Sequence, residues 1–391
     1  MNKKYEEIFE KLEMGKIIES EHEADLYKQV YENLLDYLEN NEKATFQEVI
    51  KYVNGSDRRT LRMLDQLVNL EVLKFKYPFF TLVSSDVTKT RLTPDAVRCP
   101  RCDSKMLNLG GELKHVTEIM EKIYEERFTP TFVFDQRPVN YKTSVRRAGY
   151  MVLRGDIRDK RVAVLGDDDL TSIAIGLTGL PKEIVVFDID KRVIDYIDEL
   201  STKYNIKNIK AVCCDLTKGI PEKYRKYFDL FTTDPTPTSK PFTVFTNMGI
   251  ELLKNEPRMV GYASIYPSCK LKDISIQKIL TSMGLMITDI IPYWTQYEYI
   301  KHTYSENDLE LERKYAADQS KLSFFEYLLR FETTEESKIL DVDYQLKDII
   351  GTATERVLAD PSKDPTLGTE TKDRKYVEEA AKYLKKEISN G

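Results

Sequence analysis

The sequence predicts an α/β chain: a doubly wound sheet of about seven strands behind a small, mostly helical N-terminal domain. Three observations lead there. From 143 to 333, apolar strand-like runs alternate with helical ones, the pattern of a parallel sheet with crossover helices. Within it, Arg161-Val162-Ala163-Val164-Leu165 runs through Gly166 into Ile173-Ala174-Ile175-Gly176-Leu177, the strand-turn-helix of nucleotide-binding sheets. Before it, residues 24–85 run helix, helix, helix, hairpin.

In chain order, Leu26, Val30, Leu34 and Leu35 repeat at helical spacing, as do Phe46, Val49 and Ile50. Ser56-Asp57 caps a third helix carrying Leu61, Leu64, Leu67 and Leu70. Val72–Lys76 and Phe79–Val83 then form two strands around Tyr77-Pro78. That order predicts a winged-helix-like domain over 1–95. Its third helix would expose Arg58, Arg59 and Arg62, so it serves either DNA contact or, more plainly, protein interaction or dimerisation. Residues 96–142 form a connector holding Cys99-Pro100-Arg101-Cys102, half of a zinc knuckle whose other half is missing. The strands of the domain over 143–340 fall at about 161–165, 184–188, 209–214, 228–233, 258–265, 284–291 and 322–331. Seven strands, with a long excursion between the last two, fit the sheet of methyltransferases that use S-adenosylmethionine (SAM). Residues 341–391 read as a helical tail with a Pro/Gly/Thr-rich hinge at 360–368, either a mobile tail that closes on a site or, more commonly, a solvated terminus.

Bulk composition narrows the function. Apolar residues make up 41% of the chain, with no run of membrane-spanning length, and the charged Met1–Glu6 start is no signal peptide. A cytoplasmic protein is expected. Net charge is −6, with 59 basic and 65 acidic residues interspersed, which disfavours nucleic acid and suits a cationic ligand. A charged fraction of 32% fits a thermophile's surface ion networks or an ordinary Lys/Glu-rich genome. Five cysteines make no disulfide framework, and the three histidines lack metal-ligand spacing.

The chemistry concentrates at strand ends, where such sheets bind ligands. In a SAM or dinucleotide fold, the first turn is glycine-rich so that backbone N–H groups approach an anion. Here one glycine, Gly166, is followed by Asp167, Asp168 and Asp169. Such a turn repels a carboxylate and attracts an amine. One acid would serve as a helix cap, but three exceed that need, and their repulsion calls for a bound cation or raised pKa values. Asp188 ends the second strand 22 residues past Gly166, the spacing of a carboxylate that takes ribose hydroxyls. Asp215 and Leu216 follow the third strand, where an adenine amino group finds an acceptor and an apolar contact. The ligand that fits is an adenosine with an amine tail: decarboxylated SAM, a co-substrate rather than a cofactor. Its acceptor should be a polyamine. The reaction is then an in-line displacement at the carbon next to sulfur, with a carboxylate taking the amine's proton.

Gly166-Asp167-Asp168-Asp169-Leu170-Thr171-Ser172 resembles the signature of the branched-chain polyamine synthases, the N4-bis(aminopropyl)spermidine synthases of thermophilic archaea and bacteria. Val133-Phe134-Asp135-Gln136, the run from Ser144-Val145-Arg146-Arg147 to Asp188, the N-terminal domain and the Cys-x-x-Cys connector are similar to that family as well. The resemblance implies aminopropyl transfer to the internal nitrogen of spermidine, twice, ending in a quaternary centre, with methylthioadenosine released and no metal in the chemistry. It implies Asp169 as proton acceptor; Asp167, Asp168, Asp234 and Asp135 as amine-binding acids; and Gln136 on the nucleoside side. Phe231-Thr232-Thr233-Asp234-Pro235 lacks the first acid of the linear synthases' Asp-Ser-Ser/Thr-Asp-Pro, which leaves proton transfer to the turn.

Two rivals stand beside this. One is a SAM-dependent N-methyltransferase acting on nucleic acid or a small amine; yet Asp234-Pro235-Thr236-Pro237 lacks the aromatic ring that base methylases stack on a flipped base. The other is a non-catalytic DNA-binding regulator. Tyr293, Trp294, Tyr297 and Tyr299 either line an amine channel by cation–π contact or pack a sheet edge. A homodimer through the N-terminal domain is expected.

Overall fold

The computed structural model describes residues 3–18, 24–53, 57–83, 106–137, 139–236, 238–265, 270–298, 306–315, 323–345, 350, 352–360, 364 and 374–390. Ser56, Cys99, Cys102, Pro237 and Tyr299 lie outside them. The chain divides into two compact units: Met1–Ser104 with Pro267–Ile274 and Glu298–Phe324, and the larger Lys105–Tyr266 with Ser275–Tyr297 and Phe325–Gly391.

In the smaller unit, helices Ala24–Asn40, Phe46–Val53 and Asp57–Asn69 join a three-stranded antiparallel sheet of order β1-β3-β2. Its strands are β1 (Ala44–Thr45), β2 (Leu73–Lys76) and β3 (Phe79–Leu82). The 46–53 helix opens on a capping box, in which Glu48 accepts from Thr45 N at 2.7 Å and Thr45 Oγ1 at 2.8 Å. The excursion before the last strand gives this unit a further helix, Glu306–Tyr315. Tyr315 is fully buried against the rings of Phe75 and Phe80, and its hydroxyl donates to Asp65 at 2.7 Å. The expected row of three exposed arginines is corrected. Arg59 is buried with its guanidinium over the Tyr27 ring, and Arg62 is half-buried, leaving Arg58 exposed. An arginine packed on an aromatic face serves the core of the unit.

The larger unit holds the seven-stranded sheet, of order β6-β5-β4-β7-β8-β10-β9. Its strands are β4 (Arg161–Leu165), β5 (Glu183–Asp188), β6 (Ile209–Cys213), β7 (Leu230–Thr233), β8 (Val260–Ile265), β9 (Leu285–Glu298) and β10 (Ser323–Thr333). These are the predicted strands, with β9 extended to Glu298. β4 to β8 pair in parallel, and β10 runs antiparallel to β8. Strand periodicity splits the core: Val162 and Val164 face one layer, Ala163 and Leu165 the other. From β4 the chain winds first to β5 on one side and later to β7 on the other. The C-terminal end of β4 is therefore the switch point where such sheets open a crevice.

The C-terminal segment is not a solvated tail. Helices Thr352–Ala359 and Arg374–Asn390 pack on the short turn Phe132–Phe134. Val377, Ala381 and Leu384 are buried, and Asp364 accepts from Thr131 Oγ1 and Phe132 N. Apolar residues at helical spacing here cover the sheet unit instead of facing water. Trp294 is likewise core, fully buried against Tyr150, and the Tyr293 ring packs on Phe325 and Tyr327. Among the described residues, no helix is long and apolar enough to cross a membrane.

Candidate active site

β4 ends at Leu165, and Gly166 turns the chain with a φ of 71°, a conformation that suits a residue without a Cβ. Asp167 N then donates to Asp188 Oδ2 at 2.9 Å, tying the first strand end to the second. The Asp167 carboxylate accepts from Ser172 N at 3.2 Å, capping the helix Thr171–Leu177. Asp167 is thus spent on the fold, and it is not on the wall of the cavity that opens at these strand ends.

Asp168 is on that wall, next to Gly166. Arg127 donates to its main-chain oxygen at 2.6 Å, while Tyr124 and Ser144 donate to the next carbonyl, that of Asp169. With the backbone clamped, the Asp168 side chain is left to the cavity. Its Oδ2 is shielded from solvent and, among the described residues, accepts no hydrogen bond.

Asp169 turns away from the cavity wall. Its Oδ2 accepts from Arg147 Nη1 at 2.6 Å and its Oδ1 from Val139 N at 3.1 Å. The Arg147 guanidinium, on the helix Tyr141–Arg154, also donates through Nη2 to Asp234, to Ser264 Oγ on β8 at 2.9 Å and to Thr295 Oγ1 on β9 at 3.3 Å. Asp234 follows β7 and lines the cavity. It accepts from Tyr297 Oη at 2.7 Å, and the same hydroxyl lies 3.0 Å from Glu326 Oε2.

On the opposite side, Asp188 lines the cavity with each oxygen on a backbone N–H, Oδ2 on Asp167 and Oδ1 on Asp190. Asp215 caps the short turn Leu216–Lys218 through Oδ1, and its Oδ2 accepts no hydrogen bond. Leu216 lies beside it on the wall. Asp135 also lines the cavity, accepting from Thr236 and from Thr354 on the 352–359 helix. Gln136 borders it, but its amide is engaged at both ends, donating to Asp190 at 2.8 Å and accepting from Thr131 N at 3.0 Å. Leu384 reaches the same wall from the last helix.

So many buried acids packed together resist ionisation, even with Arg147 and Arg127 beside them. Burial, foremost, raises Asp167 to about 8, Asp188 to about 7 and Asp169 to about 6, the last against the pull of Arg147. Asp168 is pushed well above the usual carboxylate range by burial and then by the charge of Asp169. Such a pocket favours a ligand that brings positive charge. Among the described residues, no group of three His, Cys, Asp or Glu is placed to hold a metal ion.

Arg147, Tyr297 and Glu326 belong to this network. Of these, the sequence offered Tyr297 as a candidate for an amine channel and gave Arg147 and Glu326 no role at the strand ends. Those two left signals: an arginine within the buried run of a helix, and a lone acid in the apolar strand Phe324-Phe325-Glu326-Tyr327-Leu328-Leu329.

Residues 115–355 match the model of the branched-chain polyamine synthase A C-terminal domain. The N(4)-bis(aminopropyl)spermidine synthase of Methanocaldococcus jannaschii is 36% identical over 260 residues, 64% of this chain and 71% of that protein. The enzyme of the same name from Thermococcus kodakarensis is 35% identical over 246 residues, 61% of this chain and 68% of that protein. In fold, the chain is similar to the branched-chain polyamine synthase of Thermus thermophilus, crystallised with N4-aminopropylspermidine and 5'-methylthioadenosine. The TM-score is 0.65 at 23% identity, covering 80% of this chain and 91% of that one. This chain belongs to the branched-chain polyamine synthase family.

Proposed function

We propose that the protein is an aminopropyltransferase that moves aminopropyl groups from decarboxylated SAM to the internal N4 nitrogen of spermidine. It does so in sequence, giving N4-aminopropylspermidine and then N4-bis(aminopropyl)spermidine, and releases methylthioadenosine each time. Family membership supports the reaction. The observation that carries the substrate assignment is Asp168, on the cavity wall beside Gly166, with a buried carboxylate oxygen that has no donor among the described residues. A glycine-rich turn there would welcome the carboxylate of intact SAM; an aspartate opposes it and welcomes the ammonium of the decarboxylated donor.

Roles follow from position. Asp188 takes the ribose, and Asp215 with Leu216 takes the adenine. Asp168, Asp234 and Asp135 hold the amine. The nitrogen's lone pair attacks the carbon bonded to sulfur, the C–S bond breaks, and its electrons return to sulfur as the neutral thioether. The sulfonium is a good leaving group, so the protein must supply a deprotonated amine, held in line. A carboxyl with a raised pKa is a better proton acceptor than an ordinary one. We assign that proton to Asp168 instead of Asp169, whose two oxygens are occupied by Arg147 and Val139. The second transfer makes a quaternary nitrogen, which has no proton to lose afterwards, so the acceptor must act before attack.

The protein needs no cofactor on this reading, and its partners are the donor and a polyamine, with no nucleic acid. It is a cytoplasmic homodimer paired through its smaller unit. The test is incubation with decarboxylated SAM and spermidine, read by mass spectrometry. Masses of one and then two added aminopropyl groups are expected. Methyl transfer from intact SAM, with no aminopropyl product, would overturn the assignment.

A further inference from the structure

Three oxygens run inward from the cavity wall: Asp234 Oδ2, Tyr297 Oη and Glu326 Oε2, separated by 2.7 Å and 3.0 Å. A phenol has one proton, so Tyr297 donates to one carboxyl group only. The second contact is a hydrogen bond only if the other carboxyl brings a proton of its own. Arg147 forms an ion pair with the same Asp234 oxygen, so the Asp234 side of the phenol is the charge-paired one. The proton therefore belongs on Glu326.

The surroundings of Glu326 agree. It sits on β10, 3% exposed, and among the described residues its hydrogen bond is to Tyr297. The ionisable groups facing it are Tyr297 from β9, Asp234 from beyond β7, Arg147 from the 141–154 helix, and Arg137 from the segment before that helix. The two arginines favour its charge. Burial and the Asp234 charge oppose it, and burial is the larger effect, so its carboxyl is held well above the ordinary range. Asp169 and Asp234 already share one arginine as ion-pair partner, and a neutral Glu326 adds no further charge to that cluster.

We propose that Glu326 is a positioning residue that keeps its proton through turnover and, by way of Tyr297, holds Asp234 oriented toward the amine. Glu326 donates to Tyr297, and Tyr297 donates to Asp234. The inference rests on the assignment of Asp234 to amine binding.

Three variants and one spectrum test it. Glu326→Gln replaces the carboxyl O–H with an amide N–H and should leave the spermidine KM within about threefold of the native value, less than the loss of one hydrogen bond to a charged group. Glu326→Leu fills the space without a donor and should raise that KM about tenfold or more, the scale of that hydrogen bond. A purely packing role predicts no such rise. Asp234→Asn should raise it further. In infrared difference spectra at neutral pH, a protonated-carboxyl band should be present in the native protein and lost in Glu326→Gln. Absence of that band, or a Glu326→Gln KM as high as that of Asp234→Asn, overturns the proton assignment. An Asp234→Asn variant with native KM overturns the amine-binding assignment and the positioning role with it, whatever the spectrum shows.

Discussion

At the end of the cavity we assign to the nucleoside, both Asp188 oxygens are held by backbone N–H groups, and Asp215 by the backbone and hydroxyl of Thr217. At the end we assign to the amine, Asp169 is held by Val139 N and by the side chain of Arg147, and Asp234 by the side chains of Arg147 and Tyr297, from a helix before the sheet and from near the sheet's end. The difference, a buried guanidinium at one end, fits the ligands proposed for the two. Ribose and adenine are neutral, and backbone donors orient a carboxylate for them without adding a formal charge. The amine is cationic and must lose a proton. Its acids need a fixed counter-charge so that some stay ionised while Asp168 keeps a free, basic oxygen.

The largest test of that contrast is to exchange the two adjacent turn acids. Asp168→Asn should lower kcat by about 10²–10⁴, the range for a lost proton acceptor, while methylthioadenosine still binds. Asp169→Asn should act through Arg147, lowering thermal stability along with activity and raising the spermidine KM. Steady-state kinetics with thermal unfolding separate the two. If Asp169→Asn alone abolishes turnover with stability and binding intact, the proton belongs to Asp169 after all.

A smaller effect sharpens the other end. Asp188→Ala should weaken methylthioadenosine by about 10–100-fold in calorimetry, the scale of one or two hydrogen bonds to a charged group. Its effect confined to the spermidine KM would dissolve the division between the ends. The smallest effect is on pH dependence. Asp167, Asp169 and Asp188 have folded pKa values raised from 3.8 to about 8, 6 and 7. The folded chain therefore binds more protons than the unfolded one between those limits, and their contribution to stability declines as pH rises from about 4 to about 8. Added spermidine should raise the unfolding temperature more at pH 8 than at pH 6. An equal shift at both would mean that the acids do not titrate against the amine.

The same contrast explains what could be read from the sequence. The strands of the sheet and the placement of Gly166, Asp168, Asp188 and Asp215 were legible because strand periodicity and turn spacing are local. Each of these residues reaches the cavity through the strand end that carries it. The capping role of Asp167 and the turning away of Asp169 were not legible, since they depend on Ser172 and on Arg147, the latter 22 residues earlier in the chain. Glu326 and Tyr297 meet Asp234 only because β9 and β10 return beside β8. The C-terminal helices looked like a solvated tail because the apolar stripe at Val377, Ala381 and Leu384 has no nearby partner in sequence.

Calorimetric titration of the protein with decarboxylated SAM and with intact SAM, in the same buffer, tests the central claim most directly. An acid-walled cavity predicts that the decarboxylated donor binds at least about tenfold tighter, a difference of about 1.4 kcal/mol. Equal affinity, or tighter binding of the intact donor, would contradict it.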